Sequence, residues 1–268
     1  MKSIDELTFT DDYMFGAIMK NEEICKGVIE RLLHIKVDKL ELITLQKDIS
    51  PYYETRGVRF DVYVKDSDKV YDIEVQNRAY QEIEKRSRYY QTMMDMDMLA
   101  KGASFKDLKE SYVIFICKGD PFKLGAPCYK TKTTFEGHPE KEFDDKTHKL
   151  FYNASAYKQE SDPALYAFLQ YISTNIPEDD FTSEIFDKVE ANKRDEKFRS
   201  EYMRCNIHDF DKLEEGKELG KELGRTEAKL EDARNMLLKN IGTIEQIAEI
   251  TELPEEKIKE LAESLKKQ

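Results

Sequence analysis

Two short runs of alternating apolar and polar residues, on either side of a polar stretch, constrain this chain more than any other feature. Val58-Arg59-Phe60-Asp61-Val62-Tyr63-Val64 and Val70-Tyr71-Asp72-Ile73-Glu74-Val75-Gln76 flank Lys65-Asp66-Ser67-Asp68-Lys69, a composition that suits a turn. Alternation at period two marks strands, so the pair reads as one β-hairpin. It puts Arg59, Asp61 and Tyr63 on one face of the first arm, and Asp72, Glu74 and Gln76 on one face of the second. A turn centred on Ser67–Asp68 sets Asp61 opposite Glu74, Arg59 opposite Gln76 and Tyr63 opposite Asp72. Opposed side chains in an antiparallel pair lie about 4.5–5.5 Å apart at Cβ. Two carboxylates that close repel unless a cation sits between them, which makes them donors for a hard metal. The alternative is an edge hairpin whose polar face is simply wet. Three features weigh against that: the acids fall opposite one another, Asp and Glu are poor strand formers, and the next element carries the basic cluster Lys85-Arg86-Ser87-Arg88 followed by Tyr89 and Tyr90.

A chain of 268 residues can bury one sizeable core and one or two smaller units. Charged residues make up 37% and apolar ones 40%, the balance of a soluble, mostly folded protein. No run approaches the roughly 20 apolar residues that cross a bilayer. The start, Met1-Lys2-Ser3-Ile4-Asp5-Glu6, lacks the apolar core of a signal peptide, so the expected location is the cytoplasm. Cys25, Cys117, Cys128 and Cys205 form no CxxC pair, and His34, His138, His148 and His208 form no HxH or HExxH pattern. Neither a disulfide scaffold nor structural zinc is expected. The net charge of −12 argues against indiscriminate nucleic-acid binding. From Glu84 to Lys132, however, ten Lys and Arg stand against six Asp and Glu, and this basic stretch directly follows the hairpin. The acidic excess lies at the N-terminus and between Glu136 and Asp232.

Along the chain, Thr10 is placed to cap a helix whose first residues are Asp11 and Asp12, with Met14, Phe15, Ile18 and Met19 as its apolar stripe. A break near Asn21 precedes a second stripe, Ile24, Val28, Ile29, Leu32 and Leu33. Leu40–Leu45 reads as a first strand, and Ala79–Ala100 as one long helix stopped by Gly102. Ser111–Cys117 is apolar on both faces, as a buried central strand would be. Residues 128–153 read as one or two further strands or a long loop, and 155–205 as helical, with Leu165, Phe168, Leu169 and Ile172 on one face. From Leu213 the composition changes. Gly216, Gly220 and Gly224 line one helical face, which either permits close helix packing or marks a frayed linker. Thr243 and Gln246 form a capping box, and Pro254 opens a last helix with Ile258, Leu261 and Leu265. The turn at Glu252-Leu253-Pro254 has a helix-turn-helix-like form. Its surrounding glutamates favour packing or self-association over contact with a phosphate backbone.

That order resembles a known family. A helix with an early acid, a strand, an Asp-bearing strand, an E-x-Q strand, a helix and a buried strand is similar to the αβββαβ core of PD-(D/E)XK nucleases. Within that superfamily the chain resembles the recombination-promoting nuclease (Rpn) and transposase-like group. The residues that carry the likeness are Phe9-Thr10-Asp11-Asp12-Tyr13-Met14-Phe15, Arg59-Phe60-Asp61-Val62, Ile73-Glu74-Val75-Gln76 and Arg86-Ser87-Arg88-Tyr89-Tyr90, together with the glycine-punctuated tail, Ala233-Arg234-Asn235-Met236-Leu237 and Ile244 to Leu261. Two departures stand out. Phe60, not proline, precedes Asp61. Gln76 takes the place of lysine, and an amide cannot act as a cation or as a general acid or base.

The resemblance implies an α/β, restriction-endonuclease-like fold with a mixed central sheet flanked by helices and a helical C-terminal region. The implied divisions are a core over 1–154, a helical extension over 155–210 and a charged tail over 211–268. It further implies metal-dependent hydrolysis of DNA phosphodiester bonds with little sequence preference, promoting recombination. Asp61 and Glu74, with the Val75 carbonyl, would bind Mg²⁺ (or Mn²⁺ or Ca²⁺ in its place), and Gln76 would orient the attacking water or the substrate. Asp12 is the candidate accessory acid, or else only a first-turn residue that complements the helix dipole. Lys85, Arg86 and Arg88 either meet phosphates or form a solvated basic face, and Lys85 or Arg86 can supply the cation that Gln76 lacks. Asp72 is expected to be exposed or to stand behind Glu74. RNA would be hydrolysed by the same groups as DNA. A degenerate, inactive nuclease fold that acts as an interaction protein is the competing reading. Self-association through the C-terminal helices is the expected oligomeric contact, and no membrane partner is expected.

Overall fold

The computed structural model describes residues 2–49, 57–77 and 81–266, with backbone alone for 206–216, 218, 219, 223 and 266. Contacts divide the chain into two compact units, Met1–Arg199 and Ser200–Gln268.

The first unit opens with helices α1 (Asp12–Met19) and α2 (Glu22–Leu33), followed by strands β1 (Leu42–Ile49), β2 (Val58–Lys65) and β3 (Lys69–Gln76). Helix α3 (Ile83–Met98) then leads to β4 (Glu110–Cys117), β5 (Cys128–Lys130), β6 (Thr134–Phe135), β7 (His138–Glu142) and β8 (Thr147–Asn153). Helices α4 (Pro163–Thr174) and α5 (Asp180–Arg194) complete it. Six strands form one sheet in the order β1-β2-β3-β4-β8-β5, and β6 pairs with β7 alone. This is the mixed α/β architecture expected. β1, β2 and β3 are antiparallel neighbours, and β3, β4 and β8 run parallel. Helix α3 supplies the crossover that two parallel strands require.

The local starts and stops follow side-chain chemistry. Asn21 caps α2 by accepting the Ile24 amide (3.1 Å), at the break expected there. The cap of α1 is Asp11, not Thr10. Asp11 spends its carboxylate on the Thr8 amide (2.7 Å) and hydroxyl (2.9 Å) and on Lys2. Helix α3 begins at Ile83, after Glu82 adopts a left-handed φ of 55°, so it starts later than Ala79. Residues 78–80 lie outside those described. The expected helical stretch over 155–205 is broken at Asn175, which ends α4 with a left-handed φ of 58°, and at Asp179, which caps α5.

Every residue from Val70 to Val75 is buried, so both faces of β3 are covered. A solvated polar face on β3 is therefore ruled out, although Arg59 on β2 is exposed. On the α3 side the core contains Val58, Phe60, Tyr63, Val70, Met94, Val113, Phe115 and Phe151. Phe115 and Phe151 stack at 5.6 Å, and Tyr90 leans on Phe60 and Phe115. α4 and α5 pack on α1 and α2, within the same unit.

Helix α6 (Glu196–Leu238) starts at the end of the first unit, and the second holds the rest of it with α7 (Ile244–Thr251) and α8 (Glu255–Lys266). The Thr243–Gln246 capping box forms as expected, with bonds of 2.9 and 3.3 Å. Ala233, Ile247, Ala248, Leu253 and Ile258 make a small core. The glycine-punctuated segment is helical. An added Cβ at Gly220 or Gly224 would meet open space, so these two positions hold no close helix contact among the described residues. No helix of the described residues is long and apolar enough to cross a membrane.

Phe115 has no exposed surface and joins β3, β4, β8 and α3 in one cluster. Phe115→Ala is expected to lower stability by about 3–5 kcal/mol, read as a shifted midpoint with unchanged slope in urea unfolding.

Candidate active site

The hairpin register is the expected one. Val62 pairs with Ile73 and Tyr63 with Asp72. The paired residues end at Val62–Ile73, one pair short of Asp61 and Glu74. On the other side, the β1–β2 ladder passes over Gln46 and Asp61, and Gln46 takes a left-handed φ of 46°. The strand alternation slips by one residue here. Tyr63 and Phe60 both reach the α3 side and touch one another, with ring centroids at 5.3 Å. The strict alternation that would put Phe60 opposite Tyr63 is thus broken at Asp61. The β1–β2 register is the same on either side of this gap, so one residue of each strand drops out of the ladder without a bulge. The ladder does not extend to Arg59 and Gln76, and the Arg59 guanidinium donates to the Gln46 side chain.

Release from both ladders leaves the Asp61 amide without a strand acceptor, and the Glu74 carboxylate takes it (N–H to Oε1, 2.8 Å). Reciprocally, the Val75 amide donates to Asp61 Oδ2 (3.2 Å). Each acid is pinned by a backbone N–H that belongs to the other strand. Asp61 Oδ1 and Glu74 Oε2 are left for other partners, and Arg86 stands 3.7 Å from Glu74 Oε2.

Arg86 is the cation of the site. Its guanidinium donates to the Gln76 side-chain carbonyl (2.9 Å) and to the Tyr90 hydroxyl (3.2 Å). The Gln76 amide in turn donates to the Val75 carbonyl (3.1 Å), the same oxygen named as a metal ligand. That carbonyl keeps a second lone pair. Of the three basic residues expected on this helix, Arg86 alone turns to the acids. Lys85 pairs with Glu82 (3.0 Å), and Arg88 is exposed. Tyr90 is part of the packing and Tyr89 lies at the surface.

Burial dominates the electrostatics. Glu74 is 2% exposed and Asp72 not at all. Burial, then the nearby charge of Asp12, push Asp61 up to about 6. Burial, then Asp61, push Glu74 up to about 8. Asp12 is also raised, by partial desolvation first, although its side chain remains open to solvent. Its charge acts on Asp61, so the first turn of α1 reaches the site. The Asn77 side chain helps fix that turn by donating to the Thr10 carbonyl.

Of its two expected places, exposed or behind Glu74, Asp72 takes the second. It is neither exposed nor supported: both of its oxygens are buried with no hydrogen-bond donor. Its carboxyl is raised well above the ordinary range by burial and then by Glu74 beside it. Two carboxylates are both acceptors, so Asp72 and Glu74 can be joined only by a shared proton. No sequence signal separated Asp72 from an ordinary alternating polar residue; its burial comes from α3.

No three His, Cys, Asp or Glu side chains among the described residues form a closed metal cage. The donor set that suits a divalent cation is the Asp61–Glu74 pair, two hard oxygens with one atom each unpinned. Burial first, and then the neighbouring acid, raises both carboxyls, and a bound cation would favour their charged forms.

A family model for PD-(D/E)XK nuclease family transposases matches residues 9–202. The chain belongs to this family. The match spans α1 to the start of α6, and so includes Asp12, Asp61, Glu74, Gln76 and Arg86. Comparisons with curated proteins and with solved structures returned no match.

The raised acids have a consequence for stability. Between the ordinary Glu value of 4.5 and about 8, the folded chain holds protons that the unfolded chain has shed, so folding weakens as pH rises through that window. In chelator, the melting temperature is expected to fall from pH 5 to pH 8. Glu74→Gln should flatten the fall, and Mn²⁺ should raise the melting temperature more at pH 8 than at pH 6. A wild-type melting temperature that climbs over this range would show that the acids are not buried together.

Proposed function

We propose that this chain is a divalent-metal-dependent endonuclease of the Rpn type that hydrolyses DNA phosphodiester bonds with little sequence preference and so promotes recombination. The observation that carries this reading is the reciprocal pinning of Asp61 and Glu74 by each other's strands, with Arg86 beside them. Family membership adds the nuclease character.

A cation held by Asp61 and Glu74 would polarise a phosphate oxygen and acidify a bound water. The protein's own groups supply the rest. Asp61 and Glu74 are oriented before substrate arrives, because their pinned oxygens hold each carboxylate in one rotamer. Arg86 provides the fixed positive charge that Gln76 cannot, and its planar donors match a phosphate oxygen pair. It stays protonated at any relevant pH, so its part is electrostatic rather than proton transfer. Gln76 holds Arg86 in place and spans the gap to the Val75 carbonyl. Asp12, open to solvent at the edge, is placed to orient or accept a proton from the attacking water. Lys85 and Arg88 lie on the outward faces of α3, suited to backbone phosphates farther along a strand.

Incubation with supercoiled plasmid and Mg²⁺ tests this. Nicking is expected for the wild type and lost in Asp61→Ala and Glu74→Ala. Arg86→Ala is expected to slow it by roughly 10²–10³-fold while metal affinity, measured by calorimetry, changes little. Cutting that survives in both acid variants would assign the activity elsewhere. A wild type that neither cuts DNA or RNA nor binds metal would make the chain an inactive nuclease fold.

A further inference from the structure

Strand β4 ends beside Gln76 and passes into residues 118–127, at the same end of the sheet as the two acids. The Lys118 amide donates to the Gln76 carbonyl (3.0 Å). The Cys117 thiol feels the charges of both Arg86 and Asp120, so the base of this loop adjoins the cation of the site. Asp120 closes the loop. Its carboxylate accepts the amides of Phe122 (3.0 Å), Lys123 (2.8 Å) and Gly125 (2.7 Å) and the hydroxyl of Tyr129 (2.9 Å). Phe122 anchors it to the core, edge-on to Phe151 and Tyr129 at 5.0 and 5.1 Å.

The tip of this ordered loop is apolar and points outward. Lys123 and Gly125 both take left-handed backbone, with φ of 58° and 82°. Leu124 between them is 76% exposed. A lysine in that conformation persists only where its surroundings over-determine it, here through Asp120. Leu124 gains nothing from this arrangement inside the chain. Lys118 and Lys123 bracket the tip, and no acid of the described residues pairs with either.

We propose that Leu124 is a wedge for a nucleic-acid duplex: with a phosphodiester at the Asp61–Glu74 pair, Lys118 and Lys123 meet the backbone and Leu124 enters between neighbouring bases. This inference rests on the nuclease reading. Apolar side chains used in this way unstack a base step and kink the duplex, while lysines fix register on phosphates. The positive flanks and the contact with β3 at Gln76 favour a polyanion at the active site over a protein partner.

The test uses the full chain and a DNA duplex carrying 2-aminopurine, whose fluorescence rises when its base unstacks. Wild-type protein is expected to raise the fluorescence on binding and to nick the duplex in Mg²⁺. Leu124→Ala is expected to bind with near wild-type affinity, leave the fluorescence unchanged and nick about tenfold more slowly. Lys123→Ala should lower the salt slope of binding by about one. Phe105→Ala, an exposed apolar residue just before β4 at the other end of the sheet, should match wild type. Equal fluorescence gain and nicking by Leu124→Ala and wild type would overturn the wedge and leave the nuclease intact, as would a wild type that nicks without any fluorescence gain. A wild type that neither binds nor nicks the duplex would overturn both.

Discussion

The juxtaposition of a half-buried carboxylate, Asp61, and a buried one, Glu74, governs this structure. An ionised acid is costly to remove from water unless it is paired, and Asp61 and Glu74 are placed together with a third acid, Asp72, behind them. The fold answers that cost in three ways. Backbone amides of Asp61 and Val75 bind one oxygen of each. Arg86 contributes positive charge from α3. What remains is left to protons or to a cation, and it appears as carboxyls shifted far upward. A site built this way is unstable by itself and suited to binding, as functional sites often are.

The arrangement depends on a local failure of the sheet. Were β2 regular through Asp61, its amide would serve a neighbouring strand and Glu74 would lose its donor. The left-handed Gln46 and the slip at Asp61 free that amide and let Phe60 and Tyr63 pack on the same side. Parallel pairing then brings the end of β4 beside the end of β3, with Gln76 level with Cys117. The crevice beyond the carboxyl ends of adjacent strands is where α/β sheets commonly bind ligands. Arg86, Gln76 and the Asp120-closed loop all converge there.

Much of this was legible in the chain. The hairpin, its register and the buried β4 follow from period-two patterning and from an apolar run with no polar face. The caps at Asn21 and Thr243 follow from residue type alone. The misreadings share a cause. Alternation alone leaves Asp72 either exposed or behind Glu74, because nothing local says that α3 covers it. Strict alternation puts Phe60 and Tyr63 on opposite sides, and an unpaired residue inside a strand leaves no clear mark in a single sequence. β8 hid in residues 128–153 because its neighbours β4 and β5 are distant or very short. Arg86 could not be told from Lys85 and Arg88, since the start of α3 at Ile83, which sets their facing, depends on a left-handed Glu82.

By itself, the sequence determined which residues could meet: two acids on paired strands, an amide where a lysine would stand, and a basic helix next in line. Local periodicity and turn chemistry suffice for that, because they act over a few residues. Tertiary structure decided which of them do meet. It picked Arg86 from three cations, buried Asp72 and turned Asp61 toward Glu74. Those outcomes depend on long-range packing of α3 and β1 against the hairpin, and burial, which sets the charge state of every acid here, is a property of the assembled core.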